Sequence, residues 1–387
     1  MTNKSNTLQM REANKLRILR LIREGDHSRA DIARSTGLSR AAVTLIVDDL
    51  INNRLVVEGQ SRRSETGRRP TVLMLSPNAY VSIGIDLSRE GFDVTFTNFA
   101  SEILRELHID FDNDARSSTE VLCKKLYGII ESDFAKDRIL GICVCCPGPL
   151  DRERGIIINP PGLDAFHNFN VVQYLYDSLH IPIFLEKDTN ALAVAEKNSS
   201  KLDTDFIYVL ADHGLGCGVI KDGEVFCGRG GMGCEIGHVT LKYDGKKCRC
   251  GNVGCAELYA SVPKVLSNAQ TRMNRKTSMN ELIKMYSDGD EVAISVLDEY
   301  AYILGTVCTG AANIFEPCYI VLGGALSEAS AIIGHVIEKK VNDLSLTGSL
   351  SKITVIPSSL TPNARGFAAA QLIIEKFLNG GIHHDNT

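Results

Sequence analysis

Apolar positions in the first 75 residues recur with the period of helices and then give way to short extended runs. In NKLRILRLIREG, Leu16, Ile18, Leu19, Leu21 and Ile22 stand among arginines and Gly25 closes the run. This predicts an amphipathic helix with a glycine stop. Ser28 with Asp31 three residues later predicts a helix N-cap with a capping-box acid, and Ile32 and Ala33 supply a short buried face. Thr36-Gly37-Leu38 makes a tight turn. Ser39 then caps a helix whose Val43, Ile46, Val47 and Leu50 fall at i, i+3, i+4 and i+7. Val56-Val57 and Thr71–Leu75 predict two short strands.

From residue 80 the pattern changes. VSIGIDLSREGFDVTFTNFASEIL predicts strand, turn, strand, strand. DFIYVLADHGLGCGVIKDGEVFCG, at 205–228, repeats that order about 120 residues later, which points to two related lobes. Between them lie a helical stretch (116–135), a buried strand ending in Pro-Gly-Pro (139–149), and a strand at Ile183–Leu185. The last runs into Glu186-Lys187-Asp188-Thr189-Asn190 and an alanine-rich helix. Long helices are expected at 263–286 and 289–313, then a strand ending in Gly323-Gly324. Asn363-Ala364-Arg365-Gly366 opens a final helix. Alternating strands and helices predict an α/β fold with a cleft between two lobes. Polar groups where a strand ends and a helix opens are where such folds place ligand chemistry.

Charge separates the two regions. Residues 1–75 hold 14 basic and 8 acidic side chains, whereas the whole chain has a net charge of −5. A basic segment ahead of an acidic body suggests an anionic partner, with nucleic acid first. The short helix, glycine turn and second helix match a helix-turn-helix. The outward face of the second helix offers Ser39, Arg40, Ala41, Thr44 and Leu45 to a major groove. The two strands form a wing whose connecting loop carries Arg62, Arg63, Arg68 and Arg69, suited to a narrow minor groove. A three-helix packing module with a solvated charge run is the plainer alternative, but it does not explain turn, face and wing together. The N-terminus lacks a signal-peptide apolar run, and no stretch approaches the roughly 20 apolar residues of a membrane span, so a cytoplasmic protein is expected.

The chain has 12 cysteines, expected to be reduced. Cys143, Cys145 and Cys146 lie in an apolar run and read as small core residues. Cys248, Cys250 and Cys255 lie in a polar, glycine-rich loop after His238, giving H-x9-C-x-C-x4-C. Three thiolates and an imidazole suit a closed, structural Zn2+ site. Two alternatives are three reduced loop thiols without metal, and a Cys-x-Cys redox pair that leaves His238 and the third thiol unexplained.

GRGGMGCEIGHV followed by CRCGNVGCAE resembles the signature of the ROK family of repressors, open reading frames and kinases. KDTNA resembles its Asn-Asp-x-Asn-Ala sugar motif and NIFEPCYIVLGG its nucleotide-side strand. The N-terminal winged helix-turn-helix ending in GRRP resembles the repressor branch, alongside regulators of xylose, glucose and N-acetylglucosamine use. The resemblance implies a DNA-binding domain at 1–76 and, at 80–380, a two-lobed actin-like (RNase H-type) ROK domain with a zinc loop at 238–255. It implies zinc on His238, Cys248, Cys250 and Cys255, and sugar contacts from Asp188, Glu235, His238 and Glu257.

Family kinases cradle ATP phosphates with Asp-x-Gly-x-Thr and Gly-Thr-Gly-x-Gly. Here these read Asp86-Leu87-Ser88-Arg89-Glu90 and Asp212-His213-Gly214-Leu215-Gly216. Glu90 places a carboxylate where the γ-phosphate would approach, and Asp212 adds another acid on that side. Asp188, the base of a kinase, is retained, and the neighbouring Asn is Lys187, which either favours an anionic sugar phosphate, faces solvent or pairs with Glu186. The expected function is a non-enzymatic, sugar-responsive transcriptional regulator, a homodimer or homotetramer that binds operator DNA and a monosaccharide or sugar phosphate. The alternatives are an ATP-dependent sugar kinase fused to a DNA-binding domain, and a repressor that senses a transporter protein.

Overall fold

Two five-stranded sheets of the same topology form the body of the molecule. The computed structural model describes residues 2–61, 71–228, 231–346, 348 and 350–382. The N-terminal region contains α1 (Thr2–Glu24), α2 (Arg29–Thr36), α3 (Arg40–Asn52) and the antiparallel strands β1 (Val56–Ser61) and β2 (Thr71–Leu75). Local chemistry sets these helices. Ser28 and Asp31 form a full capping box on α2, Gly37 ends it at φ 72°, and Ser39 caps α3.

The first lobe contains β3 (Val81–Leu87), β4 (Phe92–Asn98), β5 (Ile103–Ile109), α4 (Ala115–Asp133) and β6 (Ile139–Cys146). A small three-stranded sheet follows, of β7 (Leu150–Asp151), β8 (Ile156–Ile157) and β9 (Phe169–Asn170), then α5 (Val171–Leu179), β10 (Ile183–Lys187) and α6 (Asp188–Ser200). The second lobe contains β11 (Phe206–Ala211), β12 (Leu215–Lys221), β13 (Glu224–Val225), α7 (Glu257–Ala260), α8 (Val262–Met273), α9 (Met279–Ser287), α10 (Glu291–Phe315), β14 (Tyr319–Gly324), α11 (Ala325–Leu344) and β15 (Thr354–Pro357). Helix α12 (Arg365–Leu378) follows.

The sheet orders are β5-β4-β3-β6-β10 and β13-β12-β11-β14-β15. In each, a three-strand antiparallel meander is extended by two parallel strands, so the repeated sequence pattern marks repeated architecture. Each sheet is covered on both faces. Val81, Ile83, Ile85 and Leu87 share a core with α4 and α5, while Ile207 and Val209 face α8, α10 and α11. Helices α6 and α12 fill the space between the sheets, against Cys143, Cys145, Tyr208 and Leu210. The contact is close enough to exclude side chains: a Cβ on Gly84 of β3 would lie 1.9 Å from the Gly366 carbonyl oxygen. Cys143, Cys145 and Cys146 are buried, small residues in this packing.

Two expectations need correction. The helix expected at 263–286 is two helices, α8 and α9, separated at Asn274, which takes a left-handed φ of 53°. The run Asn274-Arg275-Lys276-Thr277-Ser278 between them is wholly polar, so the break is written in the sequence. Helix α10 is also long and apolar enough to cross a membrane by length and composition. Its apolar residues, among them Val296, Leu297, Leu304 and Cys308, are instead buried in the second lobe's core.

Candidate functional site

The carboxyl ends of β3, β10 and β11 meet at one cleft, because the pairing of each sheet aligns these ends toward the same side. Asp188, Glu235, His238 and Glu257 all line it. Asp188 opens α6, and its Oδ1 accepts from the Thr189 backbone N–H at 2.7 Å. Burial pushes its carboxyl above the usual range. Glu257 opens α7, and its Oε2 accepts from the Leu215 N–H at 3.2 Å.

Of the three readings expected for Lys187, the side chain takes neither the solvent-facing one nor the pair with Glu186. Its side chain is 4% exposed and crosses the cleft, donating from Nζ to Glu235 Oε1 at 2.9 Å and to the Gly233 carbonyl at 3.2 Å. Burial alone would lower its pKa, but Glu235 raises it. Glu186 is occupied elsewhere, by Arg152 and by Asn190 Nδ2 at 3.0 Å.

The other half of the cleft is lined by Asp86, Ser88, Asp212 and His213. Glu90, expected to face an incoming phosphate, does not line the cleft; it is exposed on the turn, where its N–H bonds Ser88 Oγ at 3.2 Å. Nor is Asp212 a bare repulsive charge. Arg365, the first residue of α12, pairs with Asp212 and lies 3.8 Å from Asp86 Oδ2. Burial pushes the Asp86 carboxyl up to about 7 against the pull of Arg365. Burial would lower the Arg365 pKa, but Asp86, Asp188 and Asp212 together raise it.

The sequence signals had not singled out Arg365. One was present: a cation in the first turn opposes the helix dipole, so its position calls for local carboxylates.

His238, Cys248, Cys250 and Cys255 present ligand atoms that all lie within 4.8 Å of one another. Cys248 Sγ is 3.8 Å from His238 Nδ1, and Cys250 Sγ is 3.6 Å from Cys255 Sγ. Zinc–sulfur bonds of about 2.3 Å give tetrahedral edges of about 3.8 Å, so the set fits a tetrahedral ion. The loop closes on Gly254, where φ is 69° and a Cβ would meet the Lys242 carbonyl oxygen at 1.6 Å. These residues can therefore hold a metal, and His238 belongs to both the metal set and the cleft wall.

Ser39, Arg40, Ala41, Thr44 and Leu45 are exposed on one face of α3, with Leu45 69% exposed. Two of their hydroxyls already serve the helix: Ser39 Oγ accepts from the Ala42 N–H at 3.2 Å, and Thr44 Oγ1 donates to the Arg40 carbonyl at 2.9 Å. Arg62, Arg63, Arg68 and Arg69 lie outside the described residues.

The pattern that defines the ROK family matches residues 82–376, and a winged helix-turn-helix DNA-binding pattern matches residues 11–57. The chain is 28% identical to the xylose repressor of Bacillus spizizenii, over 94% of this chain and 95% of that one. It superposes on a crystal structure of a ROK family transcriptional regulator, a homologue of the E. coli Mlc protein, with a TM-score of 0.81 and 26% identity, covering 96% of this chain and 97% of that one. A ROK hexokinase from Thermus thermophilus shares the fold, with a TM-score of 0.66 and 24% identity, over 78% of this chain and 100% of its own.

Proposed function

The chain belongs to the ROK family, and from that premise we propose that it is a DNA-binding transcriptional repressor controlled by a sugar in the cleft. One observation carries this reading: a winged helix-turn-helix is joined to a cleft that brings Asp188, Glu235, His238 and Glu257 together. Carboxylates and an imidazole are good partners for vicinal hydroxyls. The repressor sign is supported by the xylose repressor, which carries that name and matches over both parts of the chain.

The effector is a neutral sugar rather than a sugar phosphate. Lys187 is held by Glu235, and Arg365 by Asp212 and Asp86, so neither of these cations awaits an anion, and Arg89 on the cleft wall donates to the Pro161 carbonyl at 3.2 Å. The reading as a regulator without kinase activity is supported by a relative named a repressor that matches both parts of the chain. His238, Cys248, Cys250 and Cys255 hold structural Zn2+, which would fix the loop carrying Glu257 and orient His238 toward the sugar. The domains divide at 1–76 and 80–380. The protein acts as a homodimer or higher oligomer on an operator of two-fold character.

The test is binding of a duplex, selected by the protein from random sequence, at fixed salt with D-xylose, D-glucose or N-acetyl-D-glucosamine, each with and without ATP. A sugar that changes affinity without ATP supports the reading. Failure of every sugar rejects it, and sugar-dependent ATP turnover that vanishes in Asp188→Asn replaces it with a kinase.

A further inference from the structure

Arg365 and the DNA-reading region are attached to the same helix. At the cleft end of α12, Arg365 pairs with Asp212, which follows β11 of the second lobe. Ten residues on, about 15 Å along the helix, Glu375 Oε2 accepts from Arg23 Nη1 of α1 at 2.7 Å. Between them, Gln371 Oε1 accepts from Arg23 Nη2 at 2.9 Å and from Ser101 Oγ at 2.8 Å. The Arg23 side chain is 11% exposed, so this is a guanidinium inserted into the body rather than a surface pair.

Apolar packing reinforces the joint. Ile18, Ile22, Phe377, Leu378 and Ile382 belong to one core, and Phe377 makes edge contacts with Tyr80 and Phe99 at 5.4 and 5.6 Å. At its other end α12 is seated backbone-to-backbone on β3 through Gly84 and Gly366. The reader, α12 and the first sheet therefore form one continuous packed unit. The core that α12 shares also takes in Tyr208 and Leu210 of the second lobe, and Arg365–Asp212 adds the charged tie between α12 and that lobe at the cleft.

We infer that Arg365 is the positioning residue that couples the cleft to DNA binding: it links the second lobe to the helix on which the DNA reader is seated. This rests on the sugar-responsive reading above. A sugar bonded to Asp188 takes up part of the negative charge that faces Arg365, which shifts the balance between Arg365 and its two other carboxylates. A change in lobe angle then moves the reader, because nothing soft separates α12 from α1.

The experiment compares wild type, Arg365→Met and Arg365→Lys for binding of the selected duplex, with and without D-xylose, D-glucose and N-acetyl-D-glucosamine. The readout is the ratio of the two affinities, which does not depend on basal binding. We expect a ratio of about tenfold in wild type, below about threefold in Arg365→Met, and near wild type in Arg365→Lys. A full ratio in Arg365→Met overturns the inference. If Arg365→Met does not fold, Asp212→Asn removes the same pair and carries the same expectation. Amide hydrogen exchange separates this inference from the reading it rests on. Without sugar, Arg365→Met should speed exchange both in α12 and in Leu16–Glu24. If no sugar moves wild-type binding, the sugar-responsive reading falls, and faster exchange confined to the cleft end of α12, or unchanged exchange, overturns the coupling as well.

Discussion

Lys187 Nζ lies 2.9 Å from Glu235 Oε1, so a cation that the sequence placed beside the sugar motif neutralises one of the carboxylates expected to bind the sugar. The pair joins the end of β10 to the loop before His238, across the cleft. Glu235 keeps about a third of its side chain exposed, so the pair is worth less than a fully buried one. Lys187→Met should lower the melting temperature by a few degrees, since it leaves Glu235 without its cation. It should also weaken sugar binding by roughly tenfold, about 1.4 kcal/mol, by freeing Glu235 to move. Calorimetric titration with the sugar that shifts wild-type DNA binding checks this. Binding of a sugar phosphate in preference to the parent sugar would contradict the charge balance.

Asp86 gives a pH signature. Its carboxyl titrates at about 7 in the fold, raised by burial, against 3.8 for an unperturbed aspartate. Between those values the folded state holds a proton that the unfolded state has lost. This residue's contribution to stability therefore falls as pH rises from about 4 to about 7. Asp86→Asn has no such proton, so its melting temperature relative to wild type should rise across that window and level off above it. Thermal melts at matched salt from pH 5 to 8 measure the difference. A constant offset would mean that Asp86 is ionised throughout.

The metal set predicts a local loss with a remote effect. Cys250 is exposed while Cys248 and Cys255 are buried, so Cys250→Ser removes one thiolate with little change in packing. Metal content by mass spectrometry should fall from about one zinc per chain to well below it. The melting temperature should drop, as it should for wild type treated with a chelator. The sugar response should weaken more than sugar-free DNA binding, because the loop lies in the body and α3 does not touch it. Unchanged zinc content in Cys250→Ser would reject the ligand assignment.

Features written in local chemistry were legible from the sequence. The capping box at Ser28 and Asp31, the glycine turn at Gly37 and the cap at Ser39 involve residues two or three apart, and each formed as expected. The two lobes were legible because both begin with the same strand pattern, and the metal set because its spacing is short. What escaped depends on distant pairing. Arg365 meets Asp212, and Lys187 meets Glu235, only after both sheets have formed. Arg23 looked like one more arginine on the polar side of an amphipathic helix, yet Glu375 and Gln371 draw it inside. Glu90 differs for another reason: it is exposed on its turn and does not line the cleft.

The DNA-reading face can be dissected because its residues differ in what else they do. Ser39 caps α3, so Ser39→Ala should cost about 1 kcal/mol of helix stability and confound any binding measurement. Arg40 and Leu45 are exposed, and neither supports the helix through its side chain in that way. Arg40→Ala should weaken binding of the selected duplex by about 10- to 100-fold and relax preference at one base pair if the guanidinium reads a guanine edge. If it contacts phosphate instead, the loss should be uniform across sequences and the salt slope should fall by about 1. Leu45→Ser should lose discrimination for thymine over uracil at one position while leaving the salt slope unchanged, because a thymine methyl is an apolar contact. Sugar binding should survive in both variants, since α3 lies outside the cleft. Wild-type affinity in both would remove this face of α3 from the DNA interface.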